Sequence, residues 1–118
     1  MNGQMNYHAG FAAEEAVARS YVRRGMQIDK TRWRGAAGEI DLVARNGDGV
    51  VFIEVKKSKS FSAAAERVSR RQMQRIYQTA SEFLAGEPNG QNTDVRFDVA
   101  LVNGVGEIRI LENAFGQM

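Results

Sequence analysis

The segment "GEIDLVARNGDGVVFIEVKK", residues 38–57, decides how this chain is read. Two apolar-rich runs, roughly 38–45 and 50–57, flank Asn46-Gly47-Asp48-Gly49. Asn-Gly and Asp-Gly are strong hairpin signals because both accept positive φ at the turn. Strand side chains alternate with period two, so Ile40, Leu42 and Ala44 share a face with Val51, Ile53 and Val55. That face is apolar and calls for a core beneath it. The opposite face carries Glu39, Asp41, Glu54 and Lys56, together with Val43 and Phe52. If the loop is Gly47-Asp48, Asp41 lies directly opposite Glu54. If it is Asn46-Gly47, Asp41 faces Phe52 and Glu54 is its diagonal neighbour. A three-residue bulged loop would break the alternation.

Two like charges opposed on a sheet destabilise it. A divalent cation is the natural compensation. Two carboxylates, waters and a phosphate oxygen make a typical Mg²⁺ site, with ligands at about 2.0–2.1 Å. A lysine beside such a site can orient water and stabilise charge growing on a phosphate. The bland counterpart is a solvent-facing strand on which Glu54 and Lys56 neutralise each other. The pattern of one Asp followed by Glu-x-Lys is common enough to need further support.

Working outward, residues from about Gly10 to Arg24 read as a helix with Ala13, Val17 and Tyr21 on one stripe and Gly25 as its stop. Residues 26–38 read as a short strand or loop. After "SKSFSAAAE" a longer helix runs to about Leu84, with Val68, Met73, Ile76, Tyr77, Ala80, Phe83 and Leu84 as its apolar face. Gly86 and Pro88 end it. "VRFDVALV" (95–102) and "EIRIL" (107–111) are strands. The order α-β-β-β-α-β-β predicts a mixed α/β domain. The 118 residues fit a single domain spanning 1–118, with residues 1–8 expected to be flexible.

The chain has no cysteine, which removes disulfides and thiolate metal sites and suits a reducing cytoplasm. The polar start "MNGQMNYHAG" is no secretory signal, and no run is apolar enough to span a membrane. Net charge is only +2, but basic residues cluster. Six stand against one acid, Asp29, between Arg19 and Arg34, and seven against Glu66 between Lys56 and Arg75. Arg67, Arg71 and Arg75, four residues apart, predict a stripe on one helical face. With Lys56, Lys57 and Lys59 leading into it, the stripe could follow a phosphate backbone, or simply be a solvated face. Trp33, between Arg32 and Arg34, reads better as an anchor for the hairpin than as a base-stacking platform. Glu39 reads better as an arginine partner than as a ligand. The one histidine, His8, lies in the loose N-terminus, so histidine acid–base chemistry is disfavoured. The absence of Gly-rich phosphate loops disfavours a nucleotide-fuelled enzyme.

Asp41, followed after twelve residues by Glu54-Val55-Lys56, resembles the PD-(D/E)xK nuclease superfamily, particularly the branch containing archaeal Holliday-junction resolvases. The chain is more similar still to the bacterial YraN-like family. The elements that carry the likeness are Gly10-x3-Glu14, Gly25, "GEIDLV" (38–43), "VFIEVK" (51–56), "RFDVALV" (96–102) and "LENAF" (111–115). The resemblance implies a restriction-endonuclease-like fold, a central mixed sheet flanked by helices. It implies that Asp41, Glu54 and Glu14 bind Mg²⁺ or Mn²⁺, and that Lys56 joins these three as the catalytic group. The candidate nucleic-acid contacts are Lys57, Lys59, Arg67, Arg71 and Arg75 of the basic stripe, together with Gln72. No proline precedes Asp41, Ser58 stands where the family often has arginine, and Gln72 where it often has lysine. The expected activity is metal-dependent hydrolysis of phosphodiester bonds in structured or branched DNA, by a homodimer as in the resolvases. Two other readings stand beside it: a nucleic-acid-binding module of the same fold without catalysis, and an interaction protein in which these residues are structural.

Overall fold

Gly47 and Asp48 form the loop between β2 (Glu39–Asn46) and β3 (Gly49–Lys57), with Asn46 paired to Gly49 and Leu42 to Ile53. Gly47 has φ +63° and Asp48 stays at negative φ, as a two-residue turn with glycine first requires. This computed structural model describes the backbone of residues 2–115 and the side chains of residues 11–115.

Helix α1 (Asn2–Arg23) precedes strand β1 (Gln27–Arg34) and the hairpin. It begins well before Gly10; the side chains of residues 1–10 lie outside the described residues, and with them the looseness expected of the first eight. Gly25, at φ +90°, closes α1: its N–H donates to Val22 and that of Met26 to Tyr21, which satisfies two free carbonyls. Two helices follow β3, where the sequence pattern predicts one. Ser60 caps the short α2 (Phe61–Glu66), and Ser69 caps α3 (Arg70–Leu84) by accepting the Gln72 N–H. Strands β4 (Val95–Val102) and β5 (Ile108–Leu111) complete the chain.

The sheet order is β1-β2-β3-β4-β5. Only β3 and β4 run parallel, and α2 and α3 form the crossover between them. The fold is thus a mixed five-stranded α/β sheet, compatible with the restriction-endonuclease-like architecture. Both sheet faces are covered. Ala13, Val17 and Tyr21 of α1 pack on Leu42, Ala44, Val51, Ile53, Ala100 and Val102. Ile76, Ala80, Phe83 and Leu84 of α3 pack on Val43, Phe52, Val99 and Leu101. Trp33 meets Phe83 edge-on at 5.2 Å, an anchor as predicted.

One face assignment differs from the strand alternation. Ile40 does not join Leu42 and Ala44 beneath α1 but enters the cluster beneath α3, as does its partner Trp33. The change of face falls at Arg32 and Asp41, which lie opposite each other between the pairs Thr31–Leu42 and Trp33–Ile40. Arg32 has φ +52°, a left-handed conformation that side chains rarely adopt within a strand. This irregularity turns the strands over and leaves Asp41 between the two faces.

Candidate functional site

The β2–β3 ladder stops at Leu42 and Ile53, and the next two residues inward are Asp41 and Glu54. Beyond that point the Val55 N–H donates to Asp41 Oδ2 at 2.8 Å. Glu54 sits opposite Val99 of β4 and is 6% exposed. Its Oε2 accepts from Gln72 Nε2 of α3 and lies 3.1 Å from Lys56 Nζ. The site therefore draws on β2, β3 and α3, and the hairpin register is the one that sets Asp41 against Glu54.

Burial, and then the neighbouring Glu54 carboxylate, push the Asp41 carboxyl up to about 7; the Val55 N–H and Lys56 work against the shift. Around neutral pH the pair thus holds a proton part of the time, which relieves its like-charge repulsion. Glu14 approaches from α1. Its carboxyl is also raised, by burial first; the Arg32 bond opposes this and Asp41 adds to it. Arg32 Nε donates to Glu14 Oε1 at 2.9 Å, and its guanidinium lies over the Phe11 ring, 3.6 Å from the centroid. Beside them, a cavity of about 300 Å³ opens between α1 and β1, lined by Phe11, Ala18, Thr31 and Leu42 among others.

Asp41 and Glu54 are hard oxygen donors in a desolvated corner, which suits Mg²⁺ or Mn²⁺ better than softer metals. Among the described residues, no three Asp, Glu or His side chains already converge as a metal cage.

The other sequence-predicted residues divide. Gln72 faces Glu54 rather than the outer surface. Arg71 and Arg75 are exposed on α3, and Lys59 is exposed after β3. Arg67 does not belong to their stripe: it caps α2, and its Nη1 donates to the Lys57 carbonyl at 2.6 Å. The break at residues 67–69 separates it from α3. Glu39 pairs with Arg34 at 3.1 Å, as predicted.

Sequence reasoning missed two sets of partners. Arg32 was visible only as one basic residue in a cluster, because nothing local signals its bond to a residue eighteen positions earlier. The second set is structural: Asp98, fully buried, accepts from the Tyr21 hydroxyl at 2.7 Å, from Arg96 twice at 2.9 Å and from the Asn113 N–H. The signal was an aspartate within the apolar run "VRFDVALV".

No helix among the described residues is long and apolar enough to cross a membrane. Comparison with known proteins finds a UPF0102 protein of Cereibacter sphaeroides strain ATCC 17025, 67% identical over 115 residues, 98% of each chain. A UPF0102 protein of Ruegeria pomeroyi is 58% identical, covering 97% of this chain and 93% of its own. One of Dinoroseobacter shibae is 48% identical, covering 89% and 78%. The family model described as "Uncharacterised protein family UPF0102" matches residues 13–102, a span that includes Glu14, Asp41, Glu54, Lys56 and Gln72, and the chain belongs to that family.

Proposed function

We propose that this protein is a metal-dependent nuclease of the PD-(D/E)xK type, hydrolysing phosphodiester bonds in structured or branched DNA. The observation that carries the reading is the half-buried Asp41 set against the buried Glu54, with Lys56 Nζ 3.1 Å from Glu54. A fold gains no stability from opposing two carboxylates in a poorly hydrated corner, so a cationic ligand is the simplest reason to keep them. Asp41 and Glu54 would hold Mg²⁺ or Mn²⁺, with Glu14 within reach. A bound divalent cation would polarise the phosphodiester and acidify an adjacent water. Lys56 would position that water and stabilise negative charge on the phosphate oxygens. Gln72 and the Val55 N–H fix the two carboxylates for this task. Lys57, Lys59, Arg71 and Arg75 would bind the flanking backbone, and Arg67 would support Lys57 from behind. A homodimer goes with this reading, because two-fold symmetry suits the paired strands of a junction. So does a cytoplasmic location, where the DNA is.

One observation favours the second reading, a binding module without catalysis: Glu54 is already engaged by Gln72 and Lys56, and Glu14 by Arg32. The test is to incubate pure protein with labelled linear, flapped and four-way-junction DNA, with Mg²⁺, Mn²⁺ or chelator, alongside Asp41→Asn. Metal-dependent cutting that the variant lacks supports the nuclease. Binding without cutting on any substrate hands the case to the module.

A further inference from the structure

We infer that Arg32 is a positioning residue whose left-handed backbone, rather than its guanidinium, sets Asp41 between the carboxylates that α1 and β3 bring to opposite faces of the sheet. The inference rests on the proposed metal site and names what places its central ligand.

Three observations carry it. Among the described residues, positive φ otherwise falls on Gly25, Gly47, Gly90, Gly106 and Asn113, residue types that accept it. Arg32, at φ +52°, is the exception, and it lies inside strand β1. Left-handed residues of other types persist only where their surroundings impose them, and they gather at functional sites. Second, Arg32 lies across the β1–β2 ladder from Asp41, midway between the pairs Thr31–Leu42 and Trp33–Ile40. Third, both strands change face at this pair: Leu42 packs beneath α1, while Ile40 and Trp33 pack beneath α3.

The change of face decides what Asp41 can reach. In a regular strand its side chain would follow Val43 to the α3 side, and Glu14, carried by α1, would lie across the sheet from it. The hairpin ladder would also continue, with the Val55 N–H donating to the Ile40 carbonyl. Instead the Val55 N–H donates to Asp41 Oδ2 at 2.8 Å. The Asp41 charge acts on Glu54, which faces α3 through Gln72, and also on Glu14 of α1. One backbone torsion in the neighbouring strand thus turns a side chain of one face into a group shared by both. A residue that refuses positive φ at position 32 would restore the alternation and return Asp41 to the α3 side.

The experiment compares wild type with Arg32→Gly, Arg32→Asn and Arg32→Val in the full chain. Glycine and asparagine accept positive φ, whereas valine, branched at Cβ, does not. Arg32→Ala serves if Arg32→Val does not fold, since it removes the side chain without favouring positive φ. Every variant lacks the guanidinium, so charge cannot separate them. Nuclear Overhauser contacts between the Trp33 and Phe83 rings, whose centroids lie 5.2 Å apart, report the change of face without metal. Calorimetric titration of Mn²⁺, with Asp41→Asn as the reference for the site, reports its consequence. Arg32→Gly and Arg32→Asn should keep the ring contacts and bind Mn²⁺ at least as tightly as wild type, since a neighbouring cation is gone. Arg32→Val should lose the contacts and bind Mn²⁺ about tenfold more weakly than Arg32→Gly, a usual loss when a metal ligand's support is removed. If Mn²⁺ binding depends on Asp41 but Arg32→Val matches Arg32→Gly, the inference is overturned while the metal site stands. If Arg32→Gly and Arg32→Asn lose affinity as Arg32→Val does, the guanidinium is what matters and the inference is again overturned. If no chain binds Mn²⁺ yet the ring contacts follow the expected pattern, the positioning of Asp41 stands and the metal site falls.

Discussion

The Val55 N–H donates to Asp41 Oδ2 at 2.8 Å at the level where β2 and β3 cease to pair. A side chain has taken over from the main-chain ladder. The bond explains how a half-buried aspartate is held still beside Glu54, and it requires the change of face at Arg32 and Asp41. Position and electrostatics therefore have one origin: the interruption that separates the strands also brings the two carboxylates together in a poorly hydrated corner.

The first consequence is a dependence of stability on pH. Asp41 titrates near 7 in the folded chain, against an ordinary value of 3.8. Between those values the folded state binds more protons than the unfolded state, so stability falls as pH rises through this window. The shift sets an upper limit of about 4 kcal/mol. Urea denaturation in chelator from pH 4 to 8 measures it. Asp41→Asn should flatten the slope and be the more stable chain at pH 8. Equal slopes for the two proteins would dispose of the idea.

Saturating Mg²⁺ or Mn²⁺ should reverse the trend. Binding must expel the proton held by the pair, so affinity should rise with pH up to about 7, by about tenfold per unit where Asp41 is mostly protonated, and then level off. Calorimetry in buffers of different ionisation enthalpy counts the protons released. Proton release that persists in Asp41→Asn would locate the metal elsewhere.

The Asp98 cluster makes a contrasting prediction. Asp98→Ala leaves Arg96 and the Tyr21 hydroxyl without their buried acceptor and should cost on the order of 3–5 kcal/mol. Tyr21→Phe removes one bond and should cost about 1–2 kcal/mol. Chemical denaturation gives both values. Neither change touches the Asp41–Glu54 group, so metal affinity per folded molecule should remain that of wild type.

What the sequence disclosed, and what it did not, follows from how far each signal reaches. The Gly47-Asp48 turn is local, and its register alone brought Asp41 opposite Glu54. The α3 stripe is local as well, and residues from Val68 to Leu84 pack as their spacing predicts. The break between α2 and α3 escaped because "SAAAE" and "RRQMQ" are both helix formers; the caps Ser60 and Ser69 were the only markers. The change of face at Asp41 has no signature in β2 at all, since it arises from the backbone of Arg32 in the neighbouring strand. Gln72 was read as a nucleic-acid contact and Arg32 as one member of a basic cluster, because their partners, Glu54 and Glu14, are eighteen residues away in each case.

The basic residues should separate by measurement. Arg71, exposed on α3, should act as a plain phosphate contact. Arg71→Ala should weaken DNA binding equally across sequences and reduce the salt slope by about one. Arg67→Ala should instead lower thermal stability, through the lost bond to the Lys57 carbonyl, with a smaller change in the salt slope. If fluorescence anisotropy against salt gives both variants the same slope change, the separation of Arg67 from the α3 stripe has no bearing on binding.

Lys56 tests the chemistry most directly. Its ammonium lies 3.1 Å from Glu54 Oε2, with 13% and 7% of the two side chains exposed. Lys56→Ala therefore has two effects that must be read apart. Without metal, Glu54 loses its cationic neighbour and keeps only Gln72, so the variant should be destabilised on the order of 3 kcal/mol. With a divalent cation bound, that loss should shrink, because the carboxylate has a new partner. DNA affinity should barely change, as one cation among several makes a small share of it. Cleavage should fall by about 10²-fold or more, the usual loss when one positioned electrostatic group is removed from a transition state. Lys56→Arg restores the charge with a different shape, and should recover stability before it recovers rate. Single-turnover cleavage and melting temperature, measured with and without Mg²⁺ on one preparation of each variant, distinguish the effects. A Lys56→Ala protein that is folded, binds metal and DNA, and cuts as fast as wild type would falsify the role given to this lysine and point to a contaminating nuclease or to a different site.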